Sequence, residues 1–210
     1  MKKTSSFIAL IILLSVSFGF IQNHKKPKWV SLFDGKTLDG WKVGENASSF
    51  KVEDGAIVVN GPRGHLFYDG KVGEHNFKNF EFKAKVMTTQ GSNSGIYIHT
   101  LYQEGGWPSK GYEVQVNNSH TDWKRTGSLY DIQDVKEVYV QDNVWYTEQV
   151  IVQGKHIITK INDKIVVDYI EPDQVDRKDR KLSSGTFALQ AHDPKSKVYY
   201  KDIMVKQLPD

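Results

Sequence analysis

Residues 80–86 read FEFKAKV, and this stretch decides the fold class. Apolar and charged side chains alternate along it, as in a β-strand with one buried face and one solvated face. The same period of two recurs along the chain, and no long stretch carries the 3.6-residue period of an amphipathic helix. The apolar set of this strand is Phe80, Phe82, Ala84 and Val86.

Turn signals separate the alternating stretches. Asp54 and Gly55 divide FKVEDGAIVV (50–59), which predicts a tight hairpin. The stretch VIVQGKHIITKINDKIVVDY (150–169) predicts two successive hairpins, with turns at 153–155 and 162–163. In total about a dozen strands follow one another at the spacing of a sandwich or a barrel. Nothing alternates strands with long helices, which argues against a parallel sheet.

Composition limits the function classes. A chain of 210 residues with 39% hydrophobic and 12% aromatic residues can build one domain with a core, and it is not a disordered chain. The net charge is only +3, and charges of both signs are interleaved, as in DRKDRK (176–181). We interpret that stretch as a solvated loop and expect no nucleic-acid partner. The absence of cysteine excludes disulfides and thiolate chemistry.

The N-terminus reads as a targeting segment. MKK is followed by FIALIILLSVSFGF (7–20), an apolar stretch of the length of a signal-peptide core and short for a membrane span. Ser17 and Gly19 are small residues at positions −3 and −1 of a cleavage after Gly19. We therefore expect a signal peptide over 1–19, a single domain over 28–208, and an exported protein, periplasmic or extracellular, without membrane attachment after cleavage. The alternative is an uncleaved N-terminal anchor.

Three predicted strands carry large polar side chains on one face. They are GSNSGIYIHT (91–100), GYEVQVNN (111–118) and GTFALQAH (185–192). If the isoleucines, valines, Phe187 and Leu189 of these strands point into the core, their neighbours point to the opposite face. That face then presents Tyr97, His99, Glu113, Gln115, Asn117, Gln190 and His192.

Such a face suits a sugar, because its donors and acceptors match hydroxyl groups and its aromatic rings match the ring plane. Trp107 and Trp123, in the two long loops, are candidates for further ring contacts. The alternatives are that each tryptophan anchors its loop and that His99 is a structural histidine. Glu113 is the strongest single candidate, since a carboxylate within an apolar strand is costly unless it is paired or used.

Several familiar catalytic patterns are absent from the sequence. Ordinary glycoside hydrolysis uses two facing carboxylates, whereas this face offers one clear carboxylate. The E-x-D-x-x-E strand of laminarinase-type glucanases does not occur, and neither does a glycine-rich phosphate loop, H-E-x-x-H or G-x-S-x-G.

Five segments in order resemble the 3-keto-disaccharide hydrolase domain family. They are LFDGKTLDGW, NSGIYIH, GYEVQV, TGSLYDI and GTFALQAHDPKSKVYYKDIMV, and the resemblance spans about 29–206. It implies an all-β, concanavalin-like jelly-roll sandwich of two curved antiparallel sheets, export from bacteria, and action on glycosides oxidised to a ketone at C3. The family pattern commonly has an arginine where this chain has His99. The positions that match the family's site are Asn93, Ser94, Gly95, Glu113, Gln115, Gln190 and His192.

The implied chemistry fits a face with one carboxylate. A C3 ketone acidifies the proton on C2, so that one base can remove it, the C1–O bond breaks by elimination, and water adds to the enone. We expect Glu113, His192 and His99 to be catalytic, and Asn93, Tyr97, Gln115, Gln190, Trp107 and Trp123 to bind an oligosaccharide or glycoside. The electrophile that holds the enolate oxygen is either a histidine or a divalent metal cation held by Glu and His side chains. Two alternatives are a non-catalytic carbohydrate-binding module and an ordinary glycoside hydrolase.

Overall fold

The computed structural model describes residues 27–210, so the expected signal peptide over 1–19 lies outside the described residues. Across residues 27–210, two short 3-10 helices, Ala47–Ser49 and Val72–His75, interrupt a segment that is otherwise strands and loops. Within the described residues the strands are β1 (Val30–Ser31), β2 (Trp41–Val43), β3 (Phe50–Glu53), β4 (Ala56–Asn60), β5 (Gly64–Tyr68), β6 (Phe80–Thr88), β7 (Ser94–Thr100), β8 (Tyr112–Val116), β9 (Tyr146–Gln153), β10 (His156–Ile161), β11 (Lys164–Ile170), β12 (Thr186–Ala191) and β13 (Lys197–Gln207).

The strands form two antiparallel sheets that pack as a sandwich. The larger sheet has the order β11-β10-β9-β6-β13-β4-β3, and β1 pairs with the C-terminal half of β13. The smaller sheet has the order β2-β5-β12-β7-β8. The predicted all-β sandwich of antiparallel sheets is confirmed.

The predicted hairpins are present. Glu53 pairs with Ala56 around the Asp54–Gly55 turn, where both residues have positive φ. Strands β9, β10 and β11 follow one another as two hairpins, closed by the pairs Gln153–His156 and Ile161–Lys164. The turn residues identified in the sequence therefore set the register of this side of the larger sheet.

The core lies between the two sheets. Every second residue of β6 from Phe80 to Val86 is buried, as its alternation predicts. Phe187 on β12 joins the sheets, since its ring centroid lies 4.9 Å from that of Phe80 and 4.6 Å from that of Phe82. Burial of each such ring contributes about 2 kcal/mol, so this contact line fixes the smaller sheet against the larger one.

The opposite face of the smaller sheet carries a second, small apolar cluster. Phe67, Tyr97 and Ala188 form it, separate from the main core. Their sequence neighbours Leu66, Ile96 and Leu189 belong to the main core, as strand alternation requires. This outward face, formed by β5, β12, β7 and β8, positions the candidate site. Within residues 27–210, no helix has the length and apolar character needed to cross a membrane.

Candidate active site

An open cavity of about 240 Å³ lies on the outward face of the smaller sheet. Its floor comes from β7, β8 and β12, and its walls come from the loops between strands. This location agrees with the general tendency of ligand sites to combine a rigid sheet with long loops. The lining residues are Asn93, Tyr97, Trp107, Pro108, Glu113, Gln115, Asp122, Tyr130, Arg180, Gln190 and His192.

Glu113 is the central group of the cavity floor. It is 6% exposed, and its carboxylate accepts a hydrogen bond of 2.8 Å from the Tyr97 hydroxyl and one of 2.9 Å from Nε2 of Gln190. A guanidinium nitrogen of Arg180 lies 3.6 Å from Oε2. Burial raises the pKa of Glu113, while the Tyr97 hydrogen bond, the Arg180 charge and the Gln190 hydrogen bond act in the opposite direction. The result is a carboxylate that is more basic than a solvated one and still held in place.

Gly95 makes room for this carboxylate. It pairs with Gln115 on β8, two positions from the Tyr97–Glu113 pair and on the same face of the sheet. A Cβ atom at position 95 would lie 2.5 Å from Oε1 of Glu113 and 2.9 Å from its Cγ. Every residue other than glycine would therefore displace the Glu113 side chain, which gives a physical reason for the Gly in NSGIYIH.

Amide side chains surround the carboxylate. Nε2 of Gln190 also donates to the Tyr97 hydroxyl at 3.1 Å, so Gln190 braces both members of the Tyr97–Glu113 pair. Gln115 donates from Nε2 to Oδ1 of Asn93 at 2.9 Å. Asn93, Gln115 and Gln190 are each at most 2% exposed. Their hydrogen bonds hold the floor rigid before any ligand binds.

His192 enters the cavity from the end of β12. Its Nδ1 lies 2.9 Å from Oδ2 of Asp193, and its ring packs between Trp107 and His120, with centroids 5.6 Å and 5.5 Å away. Nδ1 is the ring nitrogen that has a protein partner among the described residues, which leaves Nε2 available. His192 can therefore exchange a proton with a ligand through Nε2.

Besides Pro108, three lining residues with polar side chains were not identified from the sequence. Arg180 belongs to the charged stretch 176–181 that we interpreted as a solvated loop, yet its side chain is 28% exposed and faces Glu113. Tyr130 lies below two cations, with Nζ of Lys124 at 3.8 Å and Cζ of Arg180 at 5.7 Å from its ring centroid. Asp122 adds a second carboxylate to the lining. Loops carry all three, where neither alternation nor spacing indicates which side chain turns inward.

His99 does not lie in the cavity, contrary to our expectation from strand parity. Thr186 on β12 pairs with Thr100 on β7, and Ala188 pairs with Tyr97. Between these two pairs the chain advances by two residues on β12 and by three residues on β7. This extra residue is a β-bulge, and His99 adopts a positive φ of 53° within it.

The bulge turns the imidazole of His99 away from the cavity and into the structure. Nε2 lies 2.9 Å from the carbonyl oxygen of Lys78, Nδ1 accepts a hydrogen bond from the backbone N–H of Ser183, and the ring packs edge-on against Phe80. Burial lowers the pKa of His99 to about 4, so the ring is neutral. The geometry assigns His99 a structural position and gives no support to a catalytic one.

The two loop tryptophans differ. Trp107 lies at the cavity wall over His65 and His192, and 46% of its surface is exposed. Trp123 does not line the cavity, because its loop turns the side chain outward, where Lys124 and Lys136 lie 6.0 Å and 5.2 Å from the ring centroid. Of these two tryptophans, only Trp107 is placed to contact a ligand in this cavity.

Asn117 also lies outside the cavity lining. It is fully buried, and its side-chain amide donates to the carbonyl oxygens of Asp122 and Lys124. Its role is to hold the loop that carries Asp122 and His120.

One cluster of described residues has the composition of a cation site. Ligand atoms of His120, His192 and Asp193 lie within 4.8 Å of one another. However, Nδ1 of His120 accepts the backbone N–H of Asp122 at 3.1 Å, which leaves its hydrogen on Nε2. A cation bound by all three groups would have to displace either this hydrogen bond or the hydrogen on Nε2 of His120, so the arrangement does not fit a preformed metal site.

Three solved structures share the fold. A candidate glycosyl hydrolase from Parabacteroides distasonis is 24% identical, with a TM-score of 0.72 over 86% of this chain and 94% of that one. A carbohydrate-binding module from Bacillus subtilis is 12% identical, with a TM-score of 0.58 over 80% of this chain and 96% of that one. The laminarinase from Rhodothermus marinus is 11% identical, with a TM-score of 0.57 over 89% of this chain and 100% of that one. At these identities the likeness establishes the jelly-roll sandwich alone.

No curated protein matches the sequence of this chain. A family model does match it, over residues 28–206, which is nearly all of the described part. The segments that carried the resemblance in the sequence lie within this range. They supply Glu113, Gln115 and Gln190 of the cavity floor, and Gly95 beside Glu113. The chain belongs to the 3-keto-alpha-glucoside-1,2-lyase-like domain family.

Proposed function

We propose that this protein cleaves the glycosidic bond of 3-keto-glycosides by elimination across C1 and C2, followed by addition of water. The observation that carries the proposal is Glu113, a buried carboxylate of raised pKa at the floor of a polar cavity, with the Arg180 guanidinium 3.6 Å away. Membership in the family supports the substrate class, and the sandwich fold is one that carbohydrate-acting proteins share.

The first step is removal of the proton from C2 by the Glu113 carboxylate. The ketone at C3 makes this proton acidic, and the electron pair of the C2–H bond becomes the enolate of C2 and C3. A base is most effective when its pKa lies near the working pH, and burial moves the pKa of Glu113 in that direction. Tyr97 and Gln190 hold the carboxylate by one oxygen each, which fixes its direction of attack.

Arg180 is the group best placed to stabilise the negative charge of the enolate. Its guanidinium carries a positive charge and lies beside Glu113. As the proton moves to Glu113, the negative charge moves from the carboxylate to the substrate oxygen, and Arg180 stays close to both. Such preorganised charge is worth about 3–4 kcal/mol in comparable sites.

His192 supplies the proton to the leaving group. The enolate electrons reform the C3 carbonyl, a C1–C2 double bond forms, and the C1–O bond breaks while Nε2–H of His192 protonates the departing oxygen. Water then adds to C1, and the protonated Glu113 delivers a proton to C2, which returns Glu113 to its carboxylate form. The neutral His192 is left with a free lone pair on Nε2, which suits the removal of a proton from that water.

The second carboxylate of the cavity favours one other candidate function. Asp122 lies in the lining with Glu113, and two carboxylates are what an ordinary glycoside hydrolase needs. However, Oδ1 of Asp122 accepts a hydrogen bond from the backbone N–H of Lys124 within its own turn. Among the described residues, no side chain of the cavity donates a hydrogen bond to Asp122 as the Tyr97 hydroxyl does to Glu113. We therefore place ordinary hydrolysis second.

A comparison of matched substrates tests the proposal. The protein is incubated with a 3-keto-disaccharide and with the unoxidised parent disaccharide, and released monosaccharides are quantified. We expect release from the 3-keto sugar only, at a rate at least about a hundredfold above that of the parent. Equal cleavage of both would favour ordinary hydrolysis, and binding without cleavage of either would favour a carbohydrate-binding module.

We also propose that the protein is exported, on the basis of residues 1–19. The expected result is a mature chain that begins after Gly19 in the periplasm or the medium, as determined by N-terminal sequencing of each fraction. A full-length chain in the membrane fraction would instead support the uncleaved anchor.

A further inference from the structure

Asp193 is the neighbour of His192 that the sequence analysis did not single out. Three donors converge on its carboxylate, and Nδ1 of His192 faces it as well. Oδ2 accepts from the Ser196 hydroxyl at 2.7 Å and faces Nδ1 of His192 at 2.9 Å. Oδ1 accepts from the backbone N–H groups of Lys195 at 2.8 Å and Ser196 at 3.2 Å. A carboxyl group that receives these three donors is held in its ionised form and carries no hydrogen of its own.

The ionisation of Asp193 fixes the hydrogen on His192. Burial opposes ionisation, but the hydrogen bonds from Ser196, His192 and Lys195 lower the pKa of Asp193 to about 2. The hydrogen between the two side chains therefore belongs to Nδ1 of His192. In the neutral ring Nε2 then has the free lone pair, and in the protonated ring Nε2 has the second hydrogen.

Ser196 connects this pair to the cavity floor. Its hydroxyl donates to Asp193 and accepts the backbone N–H of Asn93 at 2.8 Å. Asn93 in turn accepts from Gln115. The turn that orients His192 is thus joined by hydrogen bonds to β7 and β8, where Glu113 lies.

We propose that Asp193, supported by Ser196, is the positioning residue of His192, and that it keeps Nε2 as the nitrogen that exchanges protons with the substrate. The role of His192 rests on the proposed function, whereas the hydrogen position does not. The same pairing orients histidines in other sites, where a carboxylate on one ring nitrogen sets the chemistry of the other.

Asp193→Asn gives a sharp test, because it should reverse which of the two side chains donates the hydrogen bond between them. Its amide oxygen can accept the two backbone N–H groups and so preserve the turn. Its NH₂ group then faces His192 as a donor, which forces the lone pair onto Nδ1 and the hydrogen onto Nε2.

The primary measurement is the ¹⁵N chemical shift of the two ring nitrogens of His192 in ¹⁵N-histidine-labelled protein. Its signals are identified among the seven histidines by the His192→Gln spectrum. We expect Nδ1 to carry the hydrogen in the neutral wild-type ring, Nε2 to carry it in Asp193→Asn, and no fixed preference in Asp193→Ala. A wild-type ring with its hydrogen on Nε2, or an unchanged ring in both variants, overturns the proposal whatever the enzyme does.

The kinetic measurement is turnover of the 3-keto-disaccharide. We expect Asp193→Asn to lower kcat about 100-fold or more with KM changed less than about threefold, because binding contacts remain while the proton lies on the wrong nitrogen. The matched control is Asp168→Asn, which alters the exposed His156–Asp168 pair on β10 and β11, outside the cavity, and should leave kcat unchanged. A normal kcat for Asp193→Asn with an inverted tautomer would overturn the positioning role and leave Glu113 and the proposed function intact.

Discussion

The hydroxyl of Tyr97 donates a hydrogen bond of 2.8 Å to Oε2 of Glu113, and the two residues are direct partners on neighbouring strands β7 and β8. The pair is therefore fixed by sheet register rather than by flexible loops. A proton donor is held against the carboxylate at all times, and it limits how far burial can raise the carboxylate's pKa.

Tyr97→Phe should shift the pH dependence of turnover. Without the hydroxyl, Glu113 loses a hydrogen bond that favours its charged form, and its pKa rises further. A smaller fraction of the Glu113 side chains is then ionised at a given pH, so the acid limb of the kcat/KM profile should move to higher pH. Hydrogen bonds to charged groups are worth about 1.5–3 kcal/mol, which corresponds to a shift of about one to two pH units. Tyr102→Phe, outside the cavity lining, is the control, and an unmoved acid limb in Tyr97→Phe would contradict the pairing.

Gly95→Ala should impair turnover without unfolding the sheet. The added methyl group would contact Glu113 at 2.5 Å and push its carboxylate off Tyr97 and Gln190. We expect kcat/KM to fall at least about 100-fold, the value of a positioned base, while the circular-dichroism spectrum stays that of a β protein. Gly55→Ala is a suitable control, since a methyl group there meets nothing within 4 Å and only the positive φ of the turn is strained. Full activity of Gly95→Ala would show that Glu113 has more freedom than its contacts indicate.

His99→Ala should change stability and leave the chemistry intact. The ring bonds to Lys78 and Ser183 and packs on Phe80, all outside the cavity lining. Loss of these contacts should lower the free energy of unfolding by about 2–3 kcal/mol. Turnover per folded molecule, measured below the melting temperature, should change less than about threefold. A large loss of kcat with unchanged stability would restore His99 to the catalytic set.

Glu148→Gln should stabilise the protein at neutral pH. Glu148 is fully buried on β9, and its carboxyl oxygens make no hydrogen bond of ordinary geometry within residues 27–210. Burial raises its pKa well above 4.5. The unfolded chain releases this proton above pH 4.5 while the folded chain keeps it, so stability falls as pH rises through this window, by about 1.4 kcal/mol per pH unit.

Glutamine removes this pH dependence. Urea unfolding of both proteins between pH 4 and pH 8 should give similar free energies at the acid end and a growing advantage for Glu148→Gln toward pH 8. Parallel curves across the range would mean that Glu148 is ionised or solvated in the folded state.

Strand alternation predicted the sandwich and much of the cavity floor. Glu113 and Gln115 lie on a regular strand, so a period of two was sufficient to place them on the outward face. His99 shows where that argument fails. A single extra residue in β7 reverses the face of the positions beyond it, and nothing in NSGIYIH marks the bulge.

The walls of the cavity could not be predicted from the sequence in the same way. Arg180 and Asp122 lie on loops, where the direction of a side chain depends on tertiary contacts rather than on a repeat. In a stretch such as DRKDRK, every residue has the composition of a solvated surface, and only the fold selects the one that turns toward Glu113.

We predict that Glu113 is the base that removes the C2 proton. Glu113→Gln retains the size and much of the hydrogen bonding of the side chain but cannot accept a proton as a carboxylate does. Turnover should fall by about two orders of magnitude or more, with an unchanged melting profile. Near-normal turnover by the folded variant would remove Glu113 from the mechanism.

The most direct measurement is the fate of the C2 hydrogen when the 3-keto-disaccharide is cleaved in D₂O. Elimination followed by hydration exchanges this hydrogen, so the released 3-keto monosaccharide should carry one deuterium at C2 by mass spectrometry and NMR. Substrate kept without protein, or with Glu113→Gln, should carry no more than the spontaneous level. The same cleavage should show a primary kinetic isotope effect with substrate deuterated at C2, which detects removal of this hydrogen even if Glu113 returns it. Cleavage by the wild-type protein that retains the original hydrogen at C2 and shows no such isotope effect would contradict the elimination mechanism and the role of Glu113 in it.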